Sequence, residues 1–239
     1  MFTIFPIHYF VQHHQFTASL TTTRGFTATS VREGSAMIVS RFSLIAFAFL
    51  FLAAFQLGAV EKRLPIKGEV FAMEGRPAFL ILPEKPKAGP IPWVLYAPTL
   101  RGLPGGAEKW MFERFLKAGI AIAGVDVGES YGSPKGRAVY SALYEHLVTK
   151  RGMAKQACLL ARSRGGLMLY CWAAENPDKV RCITGIYPVC NIASYPGLKR
   201  ACGAYGLTAD QIEKELFKHN PIDRLAALAK AKVPIFHIH

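Results

Sequence analysis

The sequence predicts an α/β fold, with a mostly parallel sheet and helices on both faces, over residues 60–239. Three observations predict it. From residue 68 onward, short apolar runs alternate with segments of helical periodicity. Several strand-type runs are apolar throughout, as strands covered on both faces are. An apolar run over 156–162 also enters a serine and two glycines directly and leaves as an apolar helix. The chain has 239 residues, 51% hydrophobic and 19% charged, enough for one domain with a sizeable core.

The elements follow in order. Residues 1–36 hold a single acid, Glu33, and no periodicity, and are read as a non-structural extension with Met37 as the true start. An acid-poor transit peptide is the competing reading. Over 37–59, Arg41 precedes an unbroken apolar run from Leu44 to Phe55, and Gln56-Leu-Gly-Ala59 follows. A positive flank, a short apolar stretch and small residues describe a secretory signal. Leu57 is bulky for a cleavage site, so an uncleaved signal anchor is the alternative. The expected location is secreted or periplasmic, with membrane contact only through such an anchor.

Glu69–Met73 and residues 77–82 read as strands around a turn at Glu74-Gly75-Arg76. Prolines and glycines over 83–92 mark a loop, and Trp93–Ala97 is a buried-type strand. Residues 108–118 carry Trp110, Met111, Phe112, Phe115 and Leu116 at helical spacing. Residues 120–127 form a strand, 138–149 a helix, 156–162 a strand, 166–175 a helix stopped by Asn176-Pro177, and 180–187 a strand. A Gly/Pro/Asn-rich segment leads to a helix over 210–218, whose Thr208 and Gln211 have capping-box spacing. A helix over 225–232 and a strand over 233–239 complete the chain.

The net charge of +13 and a pI near 9.7 invite a nucleic-acid reading. The Lys and Arg are scattered, with no basic stripe interleaved with aromatics, so no nucleic-acid partner is expected. None of the five cysteines forms a C-x-x-C pair, which argues against zinc. Cys158, Cys171 and Cys182 read as buried free thiols. Cys190 and Cys202 flank a loop-rich stretch and can pair in an oxidising compartment.

Two serines compete as nucleophile. Gly128-Glu-Ser130-Tyr-Gly132 matches G-x-S-x-G literally, and Ala161-Arg-Ser163-Arg-Gly165 matches with Ala in the first position. The elbow chemistry needs a strand entering and a helix leaving at once, so that the serine stands at a helix N-terminus. Gly132, Pro134 and Gly136 delay the helix after Ser130, whereas it begins directly after Ser163. Ser163 is therefore the candidate, and a chemically silent helix cap is the alternative.

The order strand–Ser163–Gly165-Gly166–helix resembles the α/β-hydrolase family, in particular its serine-peptidase-like and esterase-like members with a prolyl-oligopeptidase-type catalytic domain. The resemblance covers about residues 66–239. It includes Tyr96-Ala-Pro-Thr99-Leu100-Arg-Gly102 after an early strand, the acidic, glycine-rich Asp126–Pro134 loop and the strand at Val233–His239. It implies an oxyanion hole built from the backbone N–H of Arg164 and one N–H near Thr99 or Leu100. It implies a small ester or peptide substrate and no cofactor or metal. It also places the catalytic acid a few residues beyond His239 and the histidine further on. The 239 residues are thus expected to be C-terminally incomplete, an inactive form of a serine hydrolase or a non-catalytic relative.

Of the seven histidines, His8, His13 and His14 lie in the leader, His146 reads as a solvated helix residue and His219 as a helix-end cap. His237 and His239 share one face of the last strand. Arg162 and Arg164 flank the serine, and Arg164 either meets an anionic substrate or pairs with Glu129.

Overall fold

The computed structural model describes residues 62–86 and 88–239. The non-structural extension expected over 1–36 and the signal peptide or anchor expected over 37–59 lie outside the described residues. Glu69–Met73 (β1) and Arg76–Ile81 (β2) form an antiparallel hairpin, with Met73 opposite Arg76. Its two central residues, Glu74 and Gly75, both have positive φ (49° and 68°). That is the geometry of a tight turn whose twist matches the flanking strands.

The remaining strands are Trp93–Tyr96 (β3), Ala121–Val125 (β4), Ala157–Arg162 (β5), Val180–Ile186 (β6) and Ile235–Ile238 (β7). The sheet order is β1-β2-β4-β3-β5-β6-β7. β2 pairs antiparallel with β4, and every pair from β4 to β7 is parallel. The parallel strands need crossovers, and helices supply them. These are Gly106–Lys117 (α1), Pro134–Lys150 (α2), Gly165–Glu175 (α3) and Leu225–Lys230 (α7).

Two cores result, one on each face. Val139, Tyr140, Leu143 and Leu147 of α2, Met168 and Trp172 of α3 and Leu228 of α7 pack on Leu80, Leu95, Leu159 and Ile183. Phe112 of α1 packs with Phe79, Ile81, Val94, Tyr96, Ile122 and Leu160 on the other face. The indoles are satisfied as well as buried: Trp93 Nε1 donates to the Ala154 carbonyl (2.8 Å) and Trp172 Nε1 to Ser141 Oγ (3.0 Å).

Between β6 and α7 the chain builds Leu198–Tyr205 (α4), Ala209–Lys214 (α5) and Leu216–His219 (α6). The single helix expected over 210–218 is thus divided at Glu215, although the Thr208–Gln211 capping box forms with both reciprocal bonds. Ala201 and Ile212 close onto Leu167 and Ile192 in a third, smaller cluster.

Two expectations about cysteines are corrected. Cys190 and Cys202 are free thiols, and Cys202 Sγ donates back within its own helix to the Leu198 carbonyl (3.3 Å). Cys158 and Cys182 are only half-buried; of the three thiols expected in the core, Cys171 alone is fully enclosed. Among the described residues, no helix is long and apolar enough to cross a membrane.

Candidate functional site

β5 delivers the chain straight into Ser163, and α3 leaves two residues later. Ser163 has φ of 51°, in the left-handed region that a non-glycine residue occupies only when its surroundings hold it there. Three backbone bonds hold it. The Ser163 N–H donates to the Ile186 carbonyl at the end of β6 (3.0 Å), and the Ser163 carbonyl accepts from the N–H groups of Gly166 and Val189 (2.9 Å each). The glycines make the close approach possible. A Cβ on Gly166 would lie 2.3 Å from the Val189 carbonyl oxygen, and one on Gly165 would meet Ala97 Cβ at 3.3 Å and Thr99 Cγ2 at 3.4 Å.

The serine therefore stands at the N-terminus of α3, where unpaired amides give a partial positive charge. Arg164 is the N-cap of α3, and among the described residues no carbonyl takes its N–H. Thr99, nearly buried in the loop between β3 and α1, packs beside the elbow at Gly165, while the Leu100 side chain points outward and is 56% exposed.

No known family model and no curated protein matches the chain. Solved structures do match it. A prolyl endopeptidase superposes on 66% of the chain with a TM-score of 0.50 at 18% identity, and the match spans 27% of that protein's length. A puromycin-hydrolyzing peptidase from Mycobacterium tuberculosis superposes on 74% of the chain (TM-score 0.54, 14% identity) and is covered over 37% of its length. A lipase/esterase from Lactobacillus plantarum superposes on 73% (TM-score 0.52, 12% identity) and is covered over 91%. The chain has the α/β-hydrolase fold.

In this hydrolase fold the rival serine is placed inside. Ser130 is 6% exposed, its Oγ lies buried without a hydrogen-bond partner among the described residues, and a Cβ on Gly136 would lie 2.6 Å from the Ser130 Cβ. It sits in the loop between β4 and α2, packed against the first turn of that helix. Asp126, at the start of the same loop, is bound by Lys62 Nζ (2.8 and 3.0 Å), whose side chain is almost fully buried. Burial pushes the Asp126 carboxyl up, and Lys62 opposes that shift.

Both arginines beside the serine are paired. Arg164 meets Glu129, the pairing weighed from the sequence, and its guanidinium lies over the Tyr195 ring (5.5 Å to the centroid). Arg162 is held by Glu108 and donates from Nε to the Tyr187 hydroxyl (2.8 Å). Glu108 was not singled out in the sequence. It is 1% exposed, and its other oxygen accepts the Gly105 N–H at the start of α1 (2.8 Å). Its partner is 54 residues away, so no local spacing signals the pair. Tyr96, buried at the end of β3, has its hydroxyl pushed well up by burial and by the Glu108 charge.

The contacts of the described histidines do not include Ser163. His146 is not a solvated residue as expected: its ring packs on Phe71 (5.4 Å between centroids) and its Nε2 is buried. His219 ends α6 beside Glu215 (3.5 Å) and the Tyr205 ring (5.1 Å). His237 Nε2 is 2.5 Å from the Tyr170 hydroxyl, and the His239 ring meets that of His237 edge-on at 5.8 Å. The two rings share one side of the β7 segment, as their spacing required.

Proposed function

We propose that this chain is a serine hydrolase acting on an ester or peptide bond of a small substrate. Ser163 Oγ adds to the substrate carbonyl carbon, and the developing oxyanion is taken by the Arg164 N–H and by an N–H of Thr99 or Leu100. The tetrahedral intermediate expels the alcohol or amine, which leaves with a proton, and water hydrolyses the acyl-serine. The chemistry draws on no metal or organic cofactor, and the scattered basic residues give nucleic acid no footprint. The observation that carries the reading is the positive-φ serine at a helix N-terminus, next to an amide that no carbonyl takes among the described residues.

Within these 239 residues the reaction is slow. A serine hydroxyl is a weak nucleophile without a positioned base, and His146, His219 and His237 are committed to Phe71, Glu215 and Tyr170. Oxyanion donors and binding alone leave on the order of 10³–10⁴-fold over water. That same commitment favours the second reading, a non-catalytic protein on the hydrolase fold. The Arg41-flanked apolar run over 44–55 supports export to a secreted or periplasmic location. Expression from Met37 in a bacterial host, with fractionation of the product, tests that part.

A fluorophosphonate probe tests the chemistry. The expected result is slow labelling confined to Ser163, abolished in Ser163→Ala and accelerated by added imidazole as an external base. Background labelling with and without imidazole would overturn the enzyme reading in favour of the second. Rapid Ser163-dependent labelling without imidazole would place a base inside the chain, with His239 as the first residue to substitute.

A further inference from the structure

The two strands that hold Ser163 carry a second feature at their opposite ends. β5 and β6 pair in parallel from Ala157 opposite Val180, but the next pair is Cys158 opposite Cys182, so the register skips Arg181. The irregularity is what brings the two cysteines together. Without the extra residue Cys158 would face Arg181, and Cys182 would stand one step further along. From Cys158 the pairing continues regularly through Leu160–Thr184 to Arg162–Ile186. The two thiols therefore share one sheet face with those pairs.

A directly opposed pair on neighbouring strands is within reach of a covalent link. Neighbouring strands lie about 4.8 Å apart, inside the Cα separation of roughly 4.4–6.8 Å that a disulfide spans. The cysteines stand directly opposite each other in the pairing of β5 with β6. Neither is sealed in the core. Both line a cavity of about 560 Å³ with Gln156, Arg181, Lys232 and Pro234, so a small reagent reaches them. Arg181 and Lys232 are exposed cations, and Lys232 makes no ion pair among the described residues. The rim therefore favours an anionic reagent over a neutral or cationic one.

We infer that Cys158 and Cys182 are a dithiol modification site that closes to an intramolecular disulfide with a small anionic disulfide oxidant of the glutathione class. One cysteine gives up its proton and attacks a sulfur of the oxidant, whose S–S bond breaks and releases one thiol. The second cysteine, as thiolate, attacks the protein-bound sulfur of that mixed disulfide and releases the second thiol. The pair loses two electrons and two protons, and one oxidant disulfide becomes two thiols. Burial pushes the Cys158 thiol up, with the Arg181 charge opposing, so attack by Cys158 is slow near neutrality and is favoured by mild alkali.

The link would lie about 16 Å along β5 from Ser163, five strand residues away. There it would clamp β5 to β6 at the foot, as the Ser163–Ile186 hydrogen bond does at the head. It is independent of whether Ser163 reacts.

The test treats the full chain with oxidised glutathione under mild alkali and follows intact mass and the non-reduced peptide map. The expected product has lost two hydrogens, carries a peptide joining Cys158 to Cys182, outnumbers any glutathione adduct by at least about tenfold because the second step is intramolecular, and reverts with a thiol reductant. Cys182→Ser should stop at a persistent glutathione adduct on Cys158. A wild-type chain that keeps glutathione on either cysteine, links Cys171, Cys190 or Cys202 instead, or leaves both sulfurs unreacted would overturn the proposal. The wild-type result decides even if the serine variant folds poorly.

Discussion

Gly165 and Gly166 stand side by side in the elbow, but the space around them is not alike. The atoms a Gly165 Cβ would meet are the Ala97 and Thr99 methyl carbons at 3.3 and 3.4 Å, contacts that a few tenths of an ångström relieve. The atom a Gly166 Cβ would meet is the Val189 carbonyl oxygen at 2.3 Å, with the Val189 nitrogen at 2.9 Å. That backbone is the one whose N–H holds the Ser163 carbonyl, so it cannot retreat without releasing the elbow. Gly166→Ala should therefore cost about 3 kcal/mol and Gly165→Ala under about 1, since alanine also favours the helix. Urea unfolding measures both, and equal losses would refute the distinction. Ser163 could be chosen from sequence because strand, serine, glycines and helix adjoin one another. Glu108 and Tyr187 could not be tied to Arg162, because their meeting is made by the fold across long separations.

At the scale of elements, strands and flanking helices were legible where apolar runs were long, as in β4, β5 and α3. α4 was not, because Gly203 interrupts it and its apolar face, Leu198, Ala201 and Tyr205, is defined only against α3 and α5. The break between α5 and α6 was equally hidden, and it is what buries His219. His219 is 8% exposed, with Nδ1 unpartnered among the described residues. Burial, with Arg137 nearby, pulls the His219 imidazole below its usual range, and Glu215 only partly opposes this. The unfolded chain therefore takes up this proton at higher pH than the folded one. The stabilisation is complete above about pH 6.5 and is lost as pH falls below it toward the depressed folded value. His237 is shifted the same way and adds to the slope. Unfolding free energy should fall between about pH 7 and pH 5, and His219→Phe, which keeps a buried ring without a proton to gain, should reduce that fall. An unchanged pH slope in the variant would show that His219 does not supply it.

For the whole molecule the balance of cover differs along the sheet. The central strands are closed by α1 on one face and by α2 and α3 on the other, and residues such as Leu95, Ile122 and Ala161 are fully enclosed. β7 pairs with β6 along one side, and all four of its residues are exposed, Phe236 to 62% and Ile238 to 50%. Phe236 and Ile238 stand opposite Thr184 and Ile186, on the face that also carries Cys158 and Cys182. Among the described residues no strand pairs with the other edge of β7, and such an edge with bare apolar side chains is a template for pairing with another chain. The purified 239-residue chain should therefore associate in a concentration-dependent way. Phe236→Lys together with Ile238→Lys should shift it toward monomer in sedimentation, because two charges on an edge strand oppose a second edge. The substitutions sit on exposed positions and leave the buried pairs of β6 in place, so the far-ultraviolet circular dichroism should not change. Association that persists undiminished in the double variant would mean that the contact lies elsewhere, with Trp110 of α1, 67% exposed, as the next residue to substitute.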